Sequence, residues 1–438
     1  MGQGRRTRAA LAVAIMALSG CLGEGTGEGN FVTRLNSQDS TPRIKKSRQS
    51  ATEQISADSP IIQELAARRS VLPANSAYDE VASAVLAANS RSAESELRAA
   101  RLRADAASKN WLPRLGPEIS LTSLSSVLTS LVLDVTLFDH GRKKAERAFA
   151  KADVEVAAVT LAQDSNERVF TALDLYLEAQ AGREQARVDT ATLKDMNHFL
   201  YIMSERVRGG VSDQSELNVI QQKVAEIRSS LSRNQEAARS ALAELNAMAV
   251  HPLNEVSGIS PVRVNAGIAR PLAVVLADAE EDRSIAQAGV DRADQLPGVN
   301  AQARIGDNAG EVVKSDGTLG LGTGAKLKSI ELAKEAAARQ VAQADEDANR
   351  QLRRLDSEIA AKSRQADEAT QLTRAAKANL DLFQQQFHAG QRQVMDVVQV
   401  HETFARQQER EIELKYDAAR ARLEMARLLG VLADGEAI

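Results

Sequence analysis

The residues best equipped for bond-making chemistry in this chain are five histidines, one cysteine and a glycine-rich stretch, and their spacing argues against each familiar use. His140, His198, His251, His388 and His401 are scattered; no two stand at the helical spacing of a metal pair. His401-Glu402 lacks the second histidine of a zinc-protease motif. Gly317-Thr318-Leu319-Gly320-Leu321-Gly322-Thr323-Gly324-Ala325-Lys326 has the glycines of a phosphate-cradling loop. It has no Gly-Lys-Ser/Thr at the required spacing and no buried apolar strand before it, so it reads as a strand and turn opening a helix. No Ser/His/Asp arrangement is recognisable. With Cys21 as the only cysteine, intramolecular disulfides and cysteine-based structural zinc are excluded. The expectation is a chain without catalytic residues, metal or cofactor.

The elements that carry these residues belong to long helices. Aromatics make up 3% of the 438 residues, while Ala, Leu, Glu, Gln, Arg and Lys recur throughout, the bias of helices meeting along narrow seams. The net charge of −4 is spread with both signs interspersed, which gives no field for nucleic acid. No run of 18 apolar residues follows the N-terminus, so any membrane crossing by the mature chain falls to strands.

Helical patterning runs from Ser76 to Asn110 and breaks at Trp111-Leu112-Pro113. Alternating apolar residues then mark short strands at 118–122 and 131–137. From Arg142 to about Arg208 the text is one helix, roughly 100 Å long at 1.5 Å per residue. Gly209-Gly210 ends it, and a second helix returns from about Asp213 to Met248, with Leu217, Ile220, Val224, Ile227 and Leu231 at coiled-coil spacing. The whole pattern then recurs at an offset of about 180 to 184 residues. A helix from Pro271 stops at Leu296-Pro297, strands are expected at 299–305 and 318–323, and a long helix from Gly324 runs to Ala389-Gly390. A return helix ends near Leu429. The two repeats are placed at 73–250 and 271–432, with 251–270 between them.

Arg5, Arg6 and Arg8 precede an apolar stretch from Ala9 to Leu18 too short to span a bilayer, the layout of a secretory signal. Leu18-Ser19-Gly20-Cys21 resembles a bacterial lipoprotein lipobox, which implies removal of residues 1–20 and lipid on Cys21. Residues 21–72, rich in Gly, Ser, Thr and Gln without apolar period, are expected to be a flexible leash.

Two stretches resemble the TolC family of outer-membrane efflux and secretion proteins. Val135-Thr136-Leu137-Phe138-Asp139-His140-Gly141-Arg142 is similar to the family's apolar strand-to-helix signature, with Thr136 replacing a proline and His140 a glycine. Phe387-His388-Ala389-Gly390-Gln391-Arg392-Gln393-Val394-Met395-Asp396-Val397-Val398 is similar to its helical turn, and Arg206 through Leu217 is a weaker copy. The resemblance covers Ser76 to Leu432. It implies a mainly α fold with a small β part: duplicated helical hairpins building a trimeric α-barrel, with four strands per chain in a shared outer-membrane β-barrel. It implies a homotrimer in the outer membrane, reaching into the periplasm to meet an adaptor protein and an inner-membrane transporter, for efflux or type I secretion. By the same resemblance Asp396 lines the channel constriction and Arg392 and Phe387 correspond to gate-linking residues, although Phe387 lacks a hydroxyl and Gln399 replaces a second aspartate. Gly210, Val211, Gly390 and Gln391 would be the hairpin tips facing the adaptor. The competing expectation is a periplasmic coiled-coil adaptor or structural envelope protein without its own pore. An adaptor, however, has one hairpin between β-rich flanks, and this chain has two. The strands look barely long enough for a membrane and lack the aromatic girdles of such barrels.

Overall fold

A computed structural model describes residues 59–88, 92–123, 126–306, 309–317 and 319–435. The expected signal peptide, Cys21 and most of the leash lie outside these residues. Three short or medium helices come first, α1 (Pro60–Ala66), α2 (Ala77–Ala87) and α3 (Ser92–Ser108), followed by strands β1 (Arg114–Ser123) and β2 (Ser126–Phe138). The first long hairpin is α4 (Arg142–Arg208) and α5 (Gln214–Met248). Then come α6 (Leu272–Asp294), β3 (Gly298–Gly306), β4 (Gly310–Asp316) and the second hairpin, α7 (Thr323–His388) and α8 (Val394–Leu428).

The duplication is plain in the helices. α5 and α8 are both 35 residues long and start 180 residues apart (214 and 394), while α4 and α7 have 67 and 66 residues. Nothing in α4 or α7 interrupts the helical hydrogen-bond ladder, since neither contains proline. Gly182, the one glycine inside α4, serves the packing: a Cβ there would meet the Asn234 carbonyl oxygen at 2.9 Å. α4 and α5 therefore cross in near backbone contact.

Apolar burial falls into three clusters along the bundle. One lies under the 253–264 segment and includes Tyr78, Leu173, Tyr176, Leu253, Leu355 and Leu423. A second joins α1, α3, α4 and α6 on the sheet side, through Leu65, Leu97, Val154, Val159 and Val275. The third backs the tips, where Leu217, Ile220 and Val224 of the expected seam pack with Met196, Phe199 and Val397. The 253–264 segment is held by side chains of α4: Tyr176 Oη donates to the Gly258 carbonyl at 2.8 Å and Gln180 Nε2 to the Val256 carbonyl at 3.0 Å. Burial pushes the Tyr176 hydroxyl up to about 12, so it remains a donor.

Several expectations are corrected. The leash ends sooner than residue 72, because Ser59 caps α1 (Ile62 N–H to Oγ, 3.2 Å) and Leu65 is fully buried. The expected helix 76–110 is two helices, α2 and α3. The first strands are longer than their alternation suggested, at 10 and 13 residues, enough for a membrane strand of about 9–11. The fourth strand is not at 318–323. Leu319 and Leu321 are exposed, residues 321–322 form a turn, and Thr323 already begins α7; Thr318 lies outside the described residues. The Leu/Gly alternation there imitates a period of two, whereas the true β4 carries adjacent valines, Val312 and Val313, that hide it.

Candidate functional site

The four strands form one antiparallel sheet in the order β1-β2-β3-β4. β2 is the strand that joins the repeats, pairing with β1 on one side and β3 on the other. Register sorts the side chains into two faces, because residues paired across strands point the same way. Leu133 lies between Leu115 and Ala303, Leu131 between Pro117 and Ile305, and Val313 opposite Ala301. The other face carries Asp134 between Arg114 and Gln302, with Arg304 opposite Val132 and Lys314 opposite Asn300. Its groups are cross-linked: Gln302 Nε2 donates to Asp134 at 3.0 Å, and Arg304 Nε reaches across β2 to Glu118 at 2.9 Å.

The first face is apolar apart from Glu311, which lies opposite Ala303, and its Leu115, Leu131, Ile305 and Val313 are exposed; the second is polar and ionic, a two-sidedness that suits a sheet between lipid and water. Within the chain β1 and β4 are edges, whose unpaired backbone groups call for further strands. Among the described residues no helix is long and apolar enough to cross a membrane. At the helix-side ends of β1 and β2, Trp111 and Phe138 are exposed, and Phe138 stacks edgewise on His140 at 4.6 Å. His140 Nε2 lies 3.1 Å from the Pro297 carbonyl, tying the two repeats below the sheet.

The two hairpin tips, where the second group of expected site residues lies, share one backbone design. Gly210 and Gly390 have φ of +73° and +74°, a left-handed geometry that glycine takes without strain. The next amide closes each helix: Val211 N–H donates to the Arg206 carbonyl at 2.8 Å and Gln391 N–H to the Gln386 carbonyl at 2.9 Å. Val211 is exposed, as are Gly210, Gly390 and Gln391. Asp396 accepts from the Gln393 amide at 3.2 Å and forms the capping box of α8, so its first role is to start that helix. Arg392 stays within its own hairpin: Nε donates to Gln386 at 2.9 Å, and the guanidinium lies 4.4 Å from the Phe383 ring centre. Phe387 packs partly buried against the tip cluster, beside His388. Arg392 and Phe387 thus have separate partners within the chain.

Sequence reasoning missed the residues that join the hairpins. Along α4 and α8, Glu167 pairs with Arg427 (2.7 Å), Asp174 with Arg420, Glu184 with Lys415 (2.9 Å) and Asp195 with His401 (2.9 Å). Lys223 of α5 pairs with Glu402 of α8. Partners so far apart in sequence leave no local signal; for the four α4–α8 pairs, each more than 200 residues apart, only the antiparallel order of the two helices aligns them. No group of three or more metal-binding side chains occurs among the described residues.

Residues 62–249 match the model of the outer membrane efflux protein family. The fold is similar to three solved outer-membrane channels. VceC from Vibrio cholerae has a TM-score of 0.68 at 16% identity, covering 81% of this chain and 96% of that one. CmeC from Campylobacter jejuni has 0.68 at 12%, covering 84% and 91%. The open state of MtrE from Neisseria gonorrhoeae has 0.69 at 15%, covering 82% and 90%. No curated protein matches the sequence.

Proposed function

We propose, from the premise that this chain carries an outer membrane efflux protein domain at residues 62–249 and the fold of TolC-family channels, that it is the channel subunit of an efflux system in the outer membrane. Its work is conduction rather than catalysis. The observation that carries the reading is the open four-stranded sheet with a mainly apolar face, an ionic face and two free edges. Four strands are too few to close a barrel, and only closure satisfies edge groups in lipid. Three copies supply twelve strands, with Asp134, Gln302 and Arg304 lining a water-filled interior and Leu131, Ile305 and Val313 meeting lipid.

The helices then continue the wall on the periplasmic side, and the tips at Gly210–Val211 and Gly390–Gln391 are the surfaces offered to a periplasmic adaptor and an inner-membrane transporter. Threefold symmetry brings three Asp396 carboxylates to the constriction, with Arg392 and Phe387 beside them as gate-linking groups. Cys21 carries lipid. A coiled-coil adaptor without a pore has no use for the two-faced sheet. Imaging of detergent-extracted protein tests the reading. The expected particle is a threefold tube well over 100 Å long, scaled from helix rise; a stable monomer, or a particle without a central channel, overturns it.

A further inference from the structure

The chain is one unit used twice, and the first use is covered where the second is bare. In α4, 23 of 67 residues are buried, but in its copy α7 only 6 of 66 are. In α8, 14 of 35 are buried, against 6 of 35 in its copy α5. Neighbours account for the difference. Toward the tips α4 has α8, through the four charged pairs from Glu167–Arg427 to Asp195–His401. Toward the sheet it has α6, through Arg142–Asp294 and the close approach of Gly289 to Ala145. α7 rests on α8 and α6, and α5 on α4, with Lys223 reaching over to Glu402 of α8 near the tips. Among the described residues α7 and α5 do not pack on each other.

Toward the sheet the helices therefore stand in the order α3-α4-α6-α7, and toward the tips in the order α5-α4-α8-α7. Each row ends on α7 at one side and on α3 or α5 at the other. Those ends carry exposed apolar side chains: Leu332, Leu372 and Leu382 on α7, Leu102 on α3 and Val219 on α5. The relation of α4 to α6 and α8 is thus open a second time, because α7 is the copy of α4 while α3 and α5 are the copies of α6 and α8.

We propose that α7 of one copy of this chain docks on α3 and α5 of the next, repeating the relation of α4 to α6 and α8, and that this junction lacks the charge pairs of the one inside. It rests on the channel reading above and names the surface through which the copies meet. Different surfaces face each other, so the contact is head-to-tail and closes as a ring. The register follows from the repeat: α5 and α8 start 180 residues apart, and α4 and α7 end 180 apart. Moved by that offset, Glu167–Arg427 becomes Asp347 with Ala247, and Asp174–Arg420 becomes Arg354 with Ser240. Glu184–Lys415 becomes Arg364 with Gln235, and Asp195–His401 becomes Ala375 with Gln221. No opposite charges meet. All of these residues except the half-buried Asp347 are exposed in the single chain. Packing of the exposed apolar side chains holds the junction.

The full chain extracted from membranes tests this. Arg364→Cys on one chain and Gln235→Cys on another are co-expressed and treated with a short bismaleimide. Both positions are exposed, so the substitutions leave the fold intact. A covalently linked pair of chains is expected, and none from either variant alone, each of which also controls for Cys21. Arg364→Cys with Gln221→Cys, displaced by 14 residues or roughly 21 Å along the helix, should not link. Charge is then added opposite Arg364. Gln235→Glu should slow dissociation of the assembled protein in detergent by roughly two- to fivefold, and Gln235→Lys should speed it by as much. Threefold tubes without linked pairs, links at the displaced position, or equal effects of the two charges overturn the proposal and leave the channel reading standing. A wild-type chain that is monomeric when extracted overturns both.

Discussion

Arg68 donates through Nη1 to the Leu429 carbonyl at 2.7 Å, so a guanidinium from the start of the folded body closes the end of its last long helix. Its Nη2 also reaches the Arg270 carbonyl at 3.0 Å and Glu64 at 2.9 Å. Around it, Val71 N–H donates to the Val431 carbonyl and Ser70 Oγ to the Leu432 carbonyl, both at 2.9 Å. Arg68→Met keeps the aliphatic stem but takes the donor from the buried Leu429 carbonyl and from the partly buried Arg270 carbonyl and Glu64 carboxylate. At about 1.5–3 kcal/mol for a charged hydrogen bond, the loss should lower thermal stability clearly while leaving the hairpins helical by circular dichroism. An unchanged melting temperature would show that the strap is decorative.

Gly182 sets a second expectation. Its missing Cβ leaves room for the Asn234 carbonyl and the Ala238 side chain, so Gly182→Ala must part α4 from α5. Overpacking of this kind costs about 1–3 kcal/mol. Ala238→Gly should restore only a fraction of that, because the carbonyl contact belongs to backbone. Full rescue in denaturant melts would place the clash elsewhere.

Glu155 makes stability depend on pH. It is 5% exposed, and burial pushes its carboxyl up against the hydrogen bond from Ser59 and the charge of Lys151, with Asp282 adding to the rise. The folded state therefore holds this proton more tightly than the unfolded chain. Its contribution is fully present below the ordinary carboxylate range and is lost as pH rises through the elevated value. Glu155→Gln should raise the melting temperature at neutral pH and change it little in acid. A destabilised variant at neutral pH would mean that the charge is used by the fold.

Asp396 has two separable duties. Asp396→Asn keeps an acceptor for the Gln393 amide but removes the charge, whereas Asp396→Ala removes both. If three carboxylates meet on the tunnel axis, they attract and hold cations. Divalent or trivalent ions added from the periplasmic side should block the wild-type current, and both variants should escape the block. Only the alanine variant should also lose cap stability, by about 0.5–2 kcal/mol. Equal block in all three proteins would leave Asp396 as a helix cap and nothing more.

Lipid on Cys21 is checked by intact mass. Protein extracted from membranes should begin at Cys21 with acyl chains attached, as Leu18-Ser19-Gly20-Cys21 leads one to expect. A mature chain keeping earlier residues, or one without lipid, removes the anchor.

How much of this was legible in the sequence depends on the range of the interaction. Gly209-Gly210 and Ala389-Gly390 mark turns by residue type, and α4 to α5 and α7 to α8 follow from them within a residue or so. Local period also found β2, though not its full length. β4 was misplaced because Val312-Val313 breaks the alternation that Leu319 and Leu321 counterfeit. At the site, the tip glycines could be read directly, but the Arg392–Gln386 and Arg392–Phe383 contacts depend on rotamers that no motif specifies. His401 looked like one scattered histidine among five, since its partner Asp195 lies 206 residues away.

That same distance governs how the molecule is made. β2 pairs with β1, its neighbour in sequence, but Asp134 and Gln302 are separated by 168 positions. Pairings so remote are slow to form, while α4 and α5 can zip up on neighbouring contacts. Synthesis enforces the order, because β3 leaves the ribosome only after the whole first hairpin. The apolar surface shared by Leu131 and Ile305 consequently cannot form until the first hairpin has been made, and β2 must wait unpaired on that side through its synthesis.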